Sequence, residues 1–516
     1  MIDLSAPALT PDERALLAER RLAGVCLFGR NVVDRFQLAD YVAELRDVGG
    51  PDLLVGIDQE GGGVLRLTDV PTPPAAMALG AADDEALTEA VAAATARGLR
   101  AVGVNIDFAP VADVNVNPAN PVIGDRAFGA EPAHVARHVA SFVLGLQSER
   151  VAATLKHFPG HGDTDTDSHL ALPRLHRDLE TLEAVDLVPF RVGIEAGAAA
   201  VMSAHIVLPA VDPDMPSTLS RAVLHGLLRE RLGFDGLVVT DALDMHAIKD
   251  RWTAGEAAVL ALAAGADLPL TLGTVADHRA TLAAIDGAYA DGRLSGAERA
   301  KSQARLQAVL ERFPADARPN AASAWRDGDE ALLDDAARRG IVALGSPPRL
   351  QPGGEVVLVA AGTVRASAAS QVMARPADAL ASALERRGMR VRRVGLGDAG
   401  DQDAAGGGPR RRDLGPIATT SATAAIVFAS TSRTPIGDAE VAVAWRAHQA
   451  AERSRVPYVH VALWNPYSAA RLPGPALLAF GFGARSAAAA ADALMGARTL
   501  GKAPAAITPA TSTSTG

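Results

Sequence analysis

Gly236-Leu237-Val238-Val239-Thr240-Asp241 is a short, branched, apolar run that opens on a glycine and stops at a carboxylate. A run of this length and composition reads as a buried strand. The same form recurs upstream at Gly24–Phe28, Leu53–Ile57, Val104–Ile106, Ala152–Leu155 and Ala200–Ala204, each followed by a helical pattern. A further run near Ala263–Leu272 is less regular because Pro269 interrupts it. Strands that alternate with helices mean parallel βαβ units. This many units over roughly 300 residues predict an α/β fold with a TIM-type (β/α)8 barrel, not a small open sheet.

The ends of the runs carry the chemistry. They finish in Asp58, Asp107, Lys156-His157, His205 and Asp241. In a parallel barrel the C-terminal strand ends form the active-site face, so polar residues in register predict a charged pocket at one mouth. For Asp107 and His205 a structural role stays equally open: capping the next helix, or holding the barrel mouth together.

A helix over Gly296–Phe313 closes the first domain, predicted over 1–313. Residues 314–328 are rich in Pro, Ala, Asp and Asn and read as a linker. A second α/β pattern follows at Glu355–Ala360, Val391–Val394, Ala424–Ala429, Tyr458–Leu463 and Ala476–Phe480, with helices such as Ala377–Arg387 and Ser486–Thr499. It predicts a smaller α/β/α sandwich over 329–505. Residues 506–516 are expected to form a disordered tail.

Composition narrows the function classes. The chain has 516 residues, 48% of them hydrophobic, and a formal net charge of −10. No basic stripe exists for nucleic acid; Arg410-Arg411-Arg412 sits in a Gly-rich stretch and reads as a solvated loop. The one cysteine, Cys26, lies in an apolar run and is expected to be buried. Neither an 18-residue apolar run nor a signal-peptide pattern is visible, so no membrane partner is expected and a cytoplasmic location is the simplest.

The densest polar stretch is Lys156-His157-Phe158-Pro159-Gly160-His161-Gly162-Asp163-Thr164-Asp165-Thr166-Asp167-Ser168-His169. Its proline and glycines prevent a helix, so it predicts a functional loop at the barrel mouth. Asp163, Asp165 and Asp167 alternate like calcium ligands, but Ser168 and Arg174 stand where such a loop needs Gly and Glu. His157, His161 and His169 match no common zinc spacing. No metal or cofactor is therefore expected. Proton transfer is the better reading: Asp167 and His169, two apart, can meet in a turn, where a carboxylate favours the protonated imidazole. Asp241 reads either as a buried structural carboxylate or as a nucleophile facing the pocket, as in retaining glycoside hydrolysis. The loops Asp58-Gln59-Glu60-Gly61-Gly62-Gly63-Val64-Leu65-Arg66 and Pro121–Gly129 follow the second and third predicted strands. They offer Asp58, Arg66 and Arg126 to a polar ligand. Gly395-Leu396-Gly397-Asp398-Ala399-Gly400 matches a dinucleotide fingerprint in form, but Gly406-Gly407-Gly408-Pro409 stands where its helix should start.

Together these segments resemble glycoside hydrolase family 3, in its β-N-acetylglucosaminidase branch. The resemblance spans Gly24–Asn31, Asp58–Arg66, Asp107–Pro110 with Asp113–Asn115, Val122–Gly129, Lys156–His169 and Thr240–Met245. Family 3 β-glucosidases lack the Lys156–His169 loop. The resemblance implies Asp241 as nucleophile, His169 as acid/base and Asp167 as its partner. It implies a sugar-binding set of Asp58, Arg66, Arg126, Lys156 and His157. The implied partner is a saccharide bearing terminal β-linked N-acetylglucosamine, from muropeptides in peptidoglycan recycling or from chito-oligosaccharides. Two other readings stand beside hydrolysis: a phosphorylase that uses phosphate as acceptor, and a carbohydrate-binding protein without activity. Two departures, His246 where the family often has Gly and Pro269 in the seventh strand, fall outside the implied catalytic positions.

Overall fold

The computed structural model describes residues 1–168, 170–316, 318–360, 364–365, 373–374, 376–395, 417–432, 435–503 and 507. The basic run at 410–412, the glycine motif after Gly395 and the tail from 508 onward lie outside the described residues.

The first part of the chain forms a curled parallel sheet with helices between its strands. Seven strands are hydrogen-bonded in sequence order: Ile2–Asp3, Gly24–Leu27, Leu54–Ile57, Ile106–Asp107, Ala152–Phe158, Ala200–Ser203 and Leu237–Thr240. Each neighbouring pair is parallel. Six of the seven fall on runs read from the sequence. The first, Ile2–Asp3, was not read, because two residues are too few to show a period. It moves the numbering by one: the loops that carry Asp58 and Arg126 follow the third and fourth strands, not the second and third.

The irregular run at 263–272 also has a physical explanation. Asp267 N and Leu268 N donate to Val238 O, at 2.8 and 3.0 Å. Pro269 has no N–H, so the ladder stops there. Instead, the Met1 amine donates to Pro269 O at 2.9 Å and Thr271 N donates to Met1 O at 3.1 Å. Parallel bridges Val239–Leu268 and Ile2–Thr271 thus reach from one edge of the sheet to the other.

Alternation along the strands sorts the core into two sides. Val25, Leu27, Val55, Ile57, Val201 and Val238 pack outward against the helices. Cys26, Leu54, Ile106, Ala200, Met202, Leu237 and Val239 pack within the curl. Cys26 is buried there, as its apolar run predicts. Gly56 also faces inward, where a Cβ would come within 2.5 Å of Phe108 Cζ.

A six-stranded sheet follows, ordered Val342–Leu344, Ala476–Leu478, Tyr458–Ala462, Thr423–Ser430, Glu355–Ala360 and Arg390–Gly395. Only the first pair is antiparallel. Helices Asp329–Arg339, Pro376–Glu385 and Ala484–Leu494 lie on one face, and Asp438–Ser454 on the other. The segment between the two parts is packed down: Ala321 and Ala324 are buried, and Trp325 Nε1 donates to Asp69 O at 3.0 Å. Among the described residues no helix is long and apolar enough to cross a membrane.

The second sheet reaches the mouth of the curled sheet through one short segment. Trp464 is buried, lies against Gly63 and donates from Nε1 to Asp125 Oδ1 at 3.2 Å. Asn115 Nδ2 donates to Tyr467 Oη at 2.9 Å. Truncating a buried Trp costs about 3–5 kcal/mol. Trp464→Ala should lower the thermal midpoint accordingly, and activity should fall even in the folded fraction, because two site loops lose their backing. An unchanged melting curve with full activity would contradict this.

Candidate active site

A cavity of about 890 Å³ opens at the C-terminal ends of the curled sheet. Its lining includes Asp58, Arg66, Arg126, Lys156, His157, His161, Ser168 and Asp241. Every sugar-binding candidate read from the sequence, and the candidate nucleophile, therefore meet in one space. His169 lies outside the described residues. Asp167 is half-buried, and its backbone oxygen accepts from Leu170 N at 2.9 Å.

The charges are paired tightly. Lys156 Nζ lies 2.8 Å from Asp58 Oδ1 and 2.5 Å from Glu60 Oε1. Arg66 Nη2 donates to Asp58 Oδ2 at 2.8 Å. Arg126 grips Glu60 with two parallel bonds, Nε to Oε2 and Nη2 to Oε1, both 2.8 Å. Bidentate pairs of this kind fix orientation as well as charge. Burial would raise both carboxyls, but the cations outweigh it: Lys156 and Arg66 hold Asp58 well below the usual range, and Arg126 and Lys156 hold Glu60 down at about 2. Burial opposes the Lys156 charge, but Asp58 and Glu60 more than compensate and hold it protonated.

Asp58 and Glu60 can serve one cluster because they are two apart on an extended strand end, which points both side chains the same way. The backbone then turns through Gly61 and Gly62, both at positive φ, and a Cβ on Gly61 would lie 2.3 Å from Pro74 O. Glu60 is the main residue missed at the sequence level, and its i, i+2 spacing from Asp58 is the signal that could have found it.

His157 binds by both ring nitrogens. Nδ1 lies 2.8 Å from Asp113 Oδ2 and Nε2 lies 3.2 Å from Arg126 Nη2. A carboxylate can only accept and a guanidinium can only donate, so Nδ1 carries the proton and Nε2 accepts. His157 thus positions Arg126 as well as facing the cavity. Asp113 also accepts from His157 N and His161 N, at 3.2 and 2.7 Å. It anchors the start of the polar loop, a part no local spacing reveals.

The rest of the loop is tied down by its own side chains. His161 Nδ1 meets Thr164 Oγ1 at 2.6 Å and its Nε2 meets Ser168 Oγ at 3.2 Å. Burial lowers its pKa to about 4. Arg177 reaches Asp163 at 3.2 Å and the buried Asp186 at 3.3 Å. Asp165 is exposed and accepts from Thr166 Oγ1. The calcium-like alternation is thus spent on separate partners. Ala247 N donates to Ser168 O at 3.4 Å, which brings the loop's end beside the segment after Asp241.

Asp241 follows its strand directly. Its N–H donates to Ser203 O at 3.1 Å, and its Oδ1 accepts from Ala242 N at 2.8 Å. His205 is fully buried and bridges Thr218 Oγ1 and Ala242 O, both at 2.9 Å. It holds the backbone just after Asp241, which is the structural reading of this residue. Asp107 is likewise buried beneath the site and outside the cavity lining, where Gln59 N donates to its Oδ1 at 3.0 Å.

Comparison with known proteins places the chain in a family. Residues 2–309 match the model described as the glycosyl hydrolase family 3 N-terminal domain. This chain belongs to glycoside hydrolase family 3. It is accordingly a glycoside hydrolase by enzyme class. It is 41% identical over 277 residues to a beta-hexosaminidase of Thiobacillus denitrificans, covering 52% of this chain and 77% of that protein. A beta-hexosaminidase of Xylella fastidiosa is 38% identical over 335 residues, 61% of this chain and 98% of that one. A solved family 3 β-N-acetylglucosaminidase from Paenibacillus sp. str. FPU-7 superposes with a TM-score of 0.86 at 32% identity, covering 99% of this chain and 98% of that chain.

Asp107 gives a pH test. Burial raises its pKa to about 8, against ~4 in an unfolded chain. The folded state holds the proton more tightly, so this contribution to stability is full below pH ~4 and is lost as pH rises toward about 8. Asp107→Asn keeps the acceptor for Gln59 N and removes the titration. Melting midpoints across pH 4 to 9 should fall more steeply in the wild type than in the variant, and parallel curves would refute the assignment.

Proposed function

We propose that this chain is a retaining exo-β-N-acetylglucosaminidase, with Asp241 as nucleophile and a His169–Asp167 pair as acid/base. The observation that carries the reading is one cavity that holds Asp241 together with the Asp58–Lys156–Glu60–Arg126 charge network. The beta-hexosaminidase names of the related proteins and the Paenibacillus β-N-acetylglucosaminidase support the same substrate class.

Asp241 attacks the anomeric carbon while protonated His169 gives its proton to the leaving oxygen. Neutral His169 then takes a proton from water, which hydrolyses the glycosyl-enzyme. Asp167 orients the imidazole and favours its charged form. Asp58 accepts from sugar hydroxyls while Arg66, Lys156 and Arg126 donate to them, and His157 holds Arg126 at the correct angle. Ground-state hydrogen bonds of this kind place the anomeric carbon before the nucleophile. Natural substrates are muropeptides or chito-oligosaccharides.

The same reading takes the curled sheet as a complete TIM-type barrel over 1–313, with Leu268–Thr271 as its closing strand. The two bridges at Val239 and Ile2 support that closure. The six-stranded sheet over 329–505 is then an α/β/α sandwich, joined through 314–328.

Asp241→Ala should cut turnover of an aryl β-N-acetylglucosaminide to below roughly a thousandth of wild type, with an unchanged melting midpoint. Retention of activity would sink the assignment. His169→Ala should slow natural substrates far more than aryl ones, whose leaving groups need little protonation; equal losses would remove His169 from the acid role. Products measured with and without saturating phosphate separate the acceptors: free sugar in both fits hydrolysis, and sugar 1-phosphate would replace it with phosphorolysis.

A further inference from the structure

A second group of ionisable side chains lies outside the active-site cavity, on the helical side of the curled sheet. Asp83 follows the helix Ala76–Ala82, and His134 and His138 lie one turn apart on the helix Pro132–Ser148. Each offers one ligand atom, and the three atoms lie within 4.8 Å of one another. The rings of His134 and His138 are 4.7 Å apart between centroids. None of the three lines the active-site cavity.

The decisive feature is His138. Its side chain is fully buried, yet its Nε2 has no hydrogen-bond partner among the described residues. Its Nδ1 lies 2.8 Å from Thr88 Oγ1, and that hydroxyl donates onward to Asp84 O at 3.2 Å. A hydroxyl has one proton, so both contacts are satisfied together when it donates to Asp84 O and accepts from His138 Nδ1–H. The proton is therefore on Nδ1, and the Nε2 lone pair is bare inside the protein. A buried, unpaired polar atom costs free energy unless something binds it. Fixing one imidazole nitrogen so that the other presents its lone pair is the usual support of a metal-ligating histidine.

His134 stands beside it: its Nε2 is also buried without a hydrogen-bond partner among the described residues, and its Nδ1 faces Asp83 Oδ1 at 3.5 Å. Ligands sharing one zinc ion at about 2.0–2.1 Å sit about 3.3 Å apart, so this pair is already at chelating distance. Two imidazoles and a carboxylate suit zinc and its neighbours, not calcium or magnesium.

We propose that Asp83, His134 and His138 bind one divalent ion of the zinc class, with solvent completing the coordination. Burial lowers the pKa of both histidines, that of His138 to about 4, which favours the neutral form that a metal ion needs. Two cations compete for Asp83: Arg137 Nη2 is 3.8 Å from Oδ1 and 3.4 Å from His134 Nδ1, and Lys502 Nζ is 2.6 Å from Oδ2. Both sit on exposed side chains that can swing into solvent. The ion would clamp two helices behind the Arg126 loop, since the His138 ring stacks on Phe128 at 5.5 Å.

The test is calorimetric titration of ZnCl₂ into the full-length, chelator-stripped protein, with melting curves in parallel. One saturable equivalent is expected, with a rise in melting midpoint that a chelator reverses. His134→Gln and Asp83→Asn, both at accessible positions, should lose that equivalent and the rise while keeping the metal-free turnover. Arg137→Ala should tighten binding. Absence of a saturable equivalent in the wild type, or one that persists in both His134→Gln and Asp83→Asn, would overturn the proposal.

Discussion

Lys156 is a lysine with almost no solvent contact, and its ammonium sits between the buried carboxylate of Glu60 and the half-buried one of Asp58. An isolated charge at that depth would be prohibitive. It persists because Asp58 and Glu60 neutralise it, while Arg66 and Arg126 in turn neutralise them. Five charges from three strand-end loops thereby become one object. Removing any member leaves its partners buried and uncompensated, which costs more than the pair is worth in isolation. The mouth of the curled sheet is rigid for that reason, and a rigid donor and acceptor array is what recognition of sugar hydroxyls requires.

That network needs support from behind. Asp113 holds the backbone where the polar loop begins and orients His157, which in turn touches Arg126. Trp464 and Tyr467, from the second sheet, reach Asp125 and Asn115, and Trp464 also backs Gly63. Neither aromatic lines the cavity. Among the described residues, the second part of the chain reaches the site by backing the loops that carry Glu60 and Arg126.

Much of this was legible in the linear chain. Six of seven strands in the curled sheet fall on the runs read from the sequence, because a buried parallel strand must be a continuous apolar run. Their polar ends marked the site, because the topology puts all of those ends at one face. Ile2–Asp3 escaped notice because it is too short for a pattern. Glu60 was passed over because, viewed alone, it is one more acid in a glycine-rich loop. Asp113 and Trp464 were invisible as site residues because their partners lie 44 to 339 positions away in sequence.

The sequence by itself determined the alternation of strand and helix, the face on which the chemistry gathers, and the residue types available there. Those are local properties, written in period and composition. Only the tertiary structure decided which charges meet. The Lys156–Glu60–Arg126 contact, the tautomer of His157 and the bare Nε2 of His138 all depend on distances between residues far apart in the chain. An ionisable side chain takes its role from the charges and donors packed against it, and folding alone brings those together.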